Sequence, residues 1–209
     1  MSRRDIVKSI KAEKLVVVIR LKQQKHVAEV VEALVAGGVK ALEITSNTPG
    51  YLEEIKRTRN EYPNILVGAG TVINTNIAAD AINAGAQFLV TPNTNINVVK
   101  LAHKKEVPVL MGALTPTEIC DAVEGEADIV KLFPSAAMGV NYFKAVKGPL
   151  DKVDFFAVGG IAPEDLQDWK DAGVTGFGLG GNLVKPVQNQ QDFEDIAELA
   201  EQVLKKIHS

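Results

Sequence analysis

Asp128-Ile129-Val130-Lys131-Leu132-Phe133-Pro134 is an apolar, strand-forming run with one lysine inside it and a proline to stop it. A helix ends before it and a helix follows it, so it reads as one strand of a repeating helix-strand unit. A lysine in such a run either snorkels to the surface or is an amine whose charged form is disfavoured by desolvation. A neutral amine attacks ketones. The run itself leaves both readings open.

Outward from it, similar runs recur at Leu15–Ile19, Ala41–Thr45, Ile65–Val67, Phe88–Val90, Val107–Leu110, Val153–Val158 and Gly176–Leu179. With Ile129–Phe133 they make eight candidate strands. The stretches between them have helical spacing, clearest at Val27, Val30, Val31, Leu34 and Val35. Phe193, Ile196, Ala197, Ala200, Leu204 and Ile207 repeat that spacing near the end, and Ile6, Val7 and Ile10 suggest an extra helix before the first strand.

Punctuation agrees. Thr115-Pro116-Thr117-Glu118 combines an N-cap threonine, a first-turn proline and a glutamate three residues after the cap, a capping box. Ala36-Gly37-Gly38, Ala84-Gly85 and Ala172-Gly173 close helices before strands. Strand and helix alternation implies a parallel sheet, and continuously apolar strands imply cover on both faces. The count fits a closed (β/α)8 TIM barrel with an extra N-terminal helix, read as one domain over residues 1–209. An open doubly wound sheet is the rival arrangement.

Composition excludes several roles. The 209 residues carry a net charge of −3 without any basic block, which argues against nucleic acid as a partner. One cysteine, Cys120, rules out an internal disulfide framework, and it is expected to be a buried or neutral small residue. The first residues lack the apolar core of a signal peptide, and the longest apolar runs fall short of a membrane span. The expectation is a cytoplasmic protein with no membrane partner. His26, His103 and His208 lack metal-ligand spacing and are expected at the surface, so neither a metal site nor a cofactor is expected. Trp169 reads as helix-to-barrel packing, and Met111 as a residue after the fifth strand that could touch a ligand.

In a barrel, chemistry gathers where strands end. Arg20, Glu43, Thr71 after Gly68-Ala69-Gly70, Thr91-Pro92-Asn93 and Lys131 fall at such ends. Gly159-Gly160 and Gly180-Gly181 follow the last two strands, where glycine lets backbone N–H groups approach an anion. The same charges could instead form a structural ion network, and the glycines tight turns.

Six segments occur together and in order: Val17-Val18-Ile19-Arg20, Ala41-Leu42-Glu43-Ile44-Thr45, Gly68-Ala69-Gly70-Thr71-Val72, Leu114-Thr115-Pro116-Thr117-Glu118, Lys131-Leu132-Phe133-Pro134 and the Gly159-Gly160 loop. In this the chain resembles the 2-keto-3-deoxy-6-phosphogluconate aldolases over almost its full length. The resemblance implies a metal-independent class I aldolase and a homotrimer. Lys131 is then the Schiff-base lysine and Glu43 the general acid/base. Arg20, Thr71, Thr45, Asn47, Pro92, Gly159, Gly160, Gly180 and Gly181 become candidates for binding a 2-keto-3-deoxy sugar acid, phosphorylated at its far end. Many members also cleave 4-hydroxy-2-oxoglutarate. Asn47 stands where many gluconate-type members have arginine, Val158 where threonine is frequent, and Gly181 where serine is frequent, and these features resemble the 6-phosphogalactonate branch. A phosphate-binding barrel isomerase and a catalytically silent assembly subunit are the readings from other classes.

Overall fold

The computed structural model describes residues 1–209, apart from the side chain of Asn182. Helix α1 (Arg3–Glu13) precedes β1 (Leu15–Ile19), followed by α2 (Val27–Ala36), β2 (Ala41–Thr45), α3 (Tyr51–Glu61), β3 (Leu66–Gly70), α4 (Thr75–Asn83) and β4 (Leu89–Val90). The chain continues through α5 (Ile96–His103), β5 (Val109–Ala113), α6 (Pro116–Glu124), β6 (Ile129–Leu132), α7 (Ser135–Lys147), β7 (Phe155–Val158), α8 (Leu166–Ala172), β8 (Gly176–Leu179) and α9 (Gln190–His208). Each strand pairs parallel with the next and β8 pairs with β1, so the sheet closes and the open-sheet rival falls.

Two apolar layers hold this ring. The larger lies between strands and helices, where Phe143 meets Phe155 edge-on and Trp169 at a centroid distance of 5.8 Å, which gives Trp169 the packing role expected of it. The smaller fills the barrel interior with inward-facing residues such as Ala41, Leu66, Leu110, Ile129 and Phe156. Ile6 and Ile10 of α1 join that interior core, so the extra helix stoppers the N-terminal mouth. A capping box, Ser2 with Asp5, starts α1, and Thr115 with Glu118 starts α6 as the sequence predicts. Arg3 and His103 both pair with the carboxylate of Asp128, which anchors α1 and α5 to the start of β6.

Several boundaries differ from the sequence reading. Strand β3 includes Gly68-Ala69-Gly70, a stretch that reads as a turn because glycine weakens strands. Here the missing side chains are used: a β carbon on Gly68 would lie 2.5 Å from the Phe88 ring. Strand β5 begins and ends later than expected and contains Met111, which is fully buried. Its sulfur faces the Thr91 hydroxyl and the Asn95 N–H, so Met111 supports the β4–α5 loop and does not face a ligand. Cys120 is exposed, because it falls on the outer face of α6 one residue beyond the buried Ile119. His103 is half-buried at the edge of the groove between α5 and α6, where its ring is held against the Asp128 carboxylate at 2.9 Å.

Candidate active site

Strand periodicity sets the site. Side chains alternate across a strand, so Glu43 shares the face of Ala41 and Lys131 the face of Ile129, both residues of the interior core. Each charged residue therefore points into the barrel, one step nearer its C-terminal mouth. Each lies beside a glycine of a neighbouring strand, Glu43 beside Gly68 and Lys131 beside Gly112. Lys131 is 5% exposed and Glu43 is 2% exposed, which removes the snorkelling reading of Lys131.

Burial dominates the protonation of both. Desolvation pushes the Lys131 amine down, Arg20 pushes it the same way, and the Glu43 carboxylate opposes. Desolvation raises the Glu43 carboxyl, against the pull of Lys131 and then Arg20. Both shifts favour the uncharged forms. The Lys131 Nζ lies 4.9 Å from the centroid of the Phe133 ring, whose face also suits a cation at that position.

Above Lys131 opens a cleft of about 500 Å³ lined by Arg20, Lys131, Gly159, Gly160, Gly180 and Gly181. Its remaining walls are largely apolar, with Val18, Phe133, Val158 and Leu179 among them. Gly159, Gly160 and Gly181 have φ of 98°, 81° and 53°, in the left-handed region that side chains rarely adopt. Gly180 packs against the carbonyl of Val18, 3.0 Å from where its β carbon would stand. A larger groove of about 1060 Å³ lies between α5 and α6, remote from the lysine, and holds no comparable pair.

Thr71 follows β3 immediately and has φ 57°, an outlier for a β-branched residue. Such backbone persists only when neighbours hold it, at a cost on the order of 1–3 kcal/mol. Here the Ser46 hydroxyl donates to the Thr71 carbonyl at 2.9 Å, and the Ser46 N–H to the Gly70 carbonyl at 2.8 Å. Arg20 reaches the Thr71 hydroxyl at 3.5 Å, a loose contact that leaves the guanidinium free for another acceptor.

The remaining candidates are placed differently. Thr45 is fully buried and its hydroxyl donates to the Ile19 carbonyl and contacts the Thr48 hydroxyl, so it ties β2 to β1 and cannot meet a ligand. Asn47 is exposed in the β2–α3 loop and does not line the cleft. Pro92 is half-buried, and its backbone packs where a Gly112 side chain would stand, one strand from Lys131. Sequence reasoning missed Ser46, whose role lies in the loop between β2 and α3, and the apolar walls Val18 and Phe133, which resemble ordinary strand residues.

The family model of KDPG and KHG aldolases matches residues 6–199. The 2-dehydro-3-deoxy-6-phosphogalactonate aldolase of Escherichia coli K12 is 38% identical over 78% of this chain and 79% of its own length. The KHG/KDPG aldolase of the same organism is 33% identical over 91% of this chain and 90% of its own. A solved native KDPGal structure superposes with a TM-score of 0.86 at 34% identity, covering 93% of this chain and 94% of its own. A KDPG aldolase from Legionella pneumophila, with pyruvate captured as a covalent carbinolamine intermediate, gives a TM-score of 0.84 at 28% identity, covering 94% and 97%.

Proposed function

The chain belongs to the KDPG and KHG aldolase family, and from that premise we propose that Lys131 and Glu43 cleave a phosphorylated 2-keto-3-deoxy sugar acid to pyruvate and glyceraldehyde 3-phosphate. One observation carries the residue assignment. A buried lysine biased toward its neutral amine shares the barrel mouth with a buried carboxyl biased toward its acid, beside a glycine-lined cleft. The carbinolamine of the Legionella relative agrees with an amine as the nucleophile.

The steps follow from those protonation states. The neutral Lys131 amine attacks the C2 ketone, and Glu43 relays the amine proton to the ketone oxygen. Glu43 then protonates the departing water, leaving a carboxylate beside an iminium ion. That carboxylate takes the proton of the C4 hydroxyl, the C3–C4 bond breaks, and its electron pair flows to the iminium nitrogen. The aldehyde leaves, and protonation of the enamine at C3 and hydrolysis release pyruvate and restore Lys131. The iminium is the electron sink, so the proposed route uses no metal. Among the described residues, no three His, Cys, Asp or Glu side chains gather to hold one.

We assign the carboxylate of the sugar acid to Arg20, which lines the cleft, with Thr71 at its guanidinium, and the phosphate to the N–H groups of the Gly159-Gly160 and Gly180-Gly181 turns. We include the C4 epimer, the galactonate compound, among the substrates, because the E. coli galactonate enzyme is 38% identical and the cleft is lined by Val158 and Gly181, without the threonine and serine hydroxyls frequent in gluconate-type members. A single barrel domain over 1–209, working as a cytoplasmic homotrimer, completes the proposal; light scattering tests the trimer.

Two measurements bear on this directly. Borohydride added with pyruvate should fix a reduced adduct on Lys131, readable by peptide mass. An unmodified Lys131 would return the protein to the isomerase or assembly-subunit readings. Turnover of the gluconate, galactonate and unphosphorylated 4-hydroxy-2-oxoglutarate compounds should favour the phosphorylated pair, and the reverse order would remove the phosphate site. For Ser46→Ala, KM should rise about 5-fold with kcat nearly unchanged, since the hydrogen bond that holds Thr71 is worth ~1 kcal/mol.

A further inference from the structure

Gly70 is the last residue of β3 and pairs with Thr45 of β2, two residues beyond Glu43. Its φ is outside the left-handed region, unlike those of Gly159 and Gly181, so backbone conformation does not demand glycine there. Space does. A β carbon on Gly70 would stand 2.5 Å from the Glu43 Oε1, 2.9 Å from its Cδ and 3.1 Å from the Thr45 Cγ2. The Glu43 carboxyl thus occupies the volume that any side chain at position 70 would fill.

We propose that Gly70 is the positioning residue for Glu43, keeping open the seat from which its carboxyl exchanges protons with the Lys131 adduct. The proposal rests on the general acid/base reading of Glu43. The clash it predicts falls first on the end of the Glu43 side chain and then, at 3.1 Å, on the methyl of the buried Thr45, which must give by a few tenths of an ångström. An alanine is accommodated by moving the carboxyl together with a slight yielding of Thr45. The cost falls on catalysis, where a displacement of about 1 Å is worth roughly 10²-fold in rate. Gly68 differs, because its β carbon would strike the Phe88 ring and disturb the core.

The test compares Gly70→Ala, Glu43→Gln, Glu43→Asp and the double variant Glu43→Asp/Gly70→Ala. Gly70→Ala should lower kcat roughly 10²-fold and shift its pH profile, with KM within a few-fold of the parent. Its endpoint borohydride adduct with pyruvate on Lys131 should persist. In the aspartate background the same alanine should cost much less, because a carboxyl one methylene shorter stops short of the new methyl. Unchanged kcat and pH profile in Gly70→Ala, or full additivity of the two substitutions, would overturn the positioning role. If Gly70→Ala does not fold, restoration of folding in the double variant supports the clash with Glu43, and its absence overturns it. A Glu43→Gln enzyme with parental kcat would instead remove the acid/base reading itself, a result separate from the others.

Discussion

Lys131→Met should lower aldol cleavage by at least about 10⁵-fold, the advantage of a nucleophile held in place over one met by diffusion. Methionine retains the length of the side chain and loses the amine, so packing against Phe133 survives while the iminium cannot form. The same variant should be more stable than the parent at neutral pH. Burial lowers the folded-state pKa of Lys131, so the folded protein binds fewer protons than the unfolded chain between the lowered value and the ordinary lysine value. Stability therefore rises with pH through that window, and below it the full burden of a buried charge is present. Methionine removes that burden at every pH. Thermal unfolding at neutral pH checks this, together with turnover on the same sample. A variant less stable than the parent would mean that Lys131 is held as one member of a favourable ion network, which is the reading that burial argues against.

That trade between stability and reactivity also explains how much the chain discloses of itself. Strand and helix alternation is written in apolar periodicity, so the barrel and the extra helix follow from it, whereas the run around Lys131 leaves burial and snorkelling equally open until the closed ring buries the amine. The glycines of β3 misled for a physical reason. Gly68 and Gly70 violate strand propensity because Phe88 and Glu43 need their space, and that need exists only after the barrel closes. Thr45 misled in the opposite sense: its place beside the Glu43 motif suggested a ligand contact, yet its hydroxyl is committed to the Ile19 carbonyl. Ser46 was invisible because its function is a single hydrogen bond to a strained residue contributed by another strand. Periodicity reports which face a residue occupies; it carries no information on which partner the closed ring brings to it.

Glu43→Gln should cut kcat by about 10²–10⁴-fold, the range for a positioned acid/base, and its pH profile should change shape as well as height. In the mechanism proposed for the parent, the active form holds one proton between the two buried groups, on Glu43, with Lys131 neutral. Lower pH protonates the amine and stops its attack. Higher pH removes the carboxyl proton needed to expel water from the carbinolamine. Because burial lowers Lys131 and raises Glu43, the acidic limb of kcat/KM lies below the ordinary lysine value and the alkaline limb above the ordinary carboxylate value. Glutamine has no proton to lose, so the alkaline limb should vanish. The acidic limb should stay near its parental place, since Glu43 is already uncharged when the amine takes up its proton and glutamine reproduces that uncharged neighbour. A glutamine variant that kept the alkaline limb would place the essential acid elsewhere and leave Glu43 as a mere counter-charge to Lys131 and Arg20.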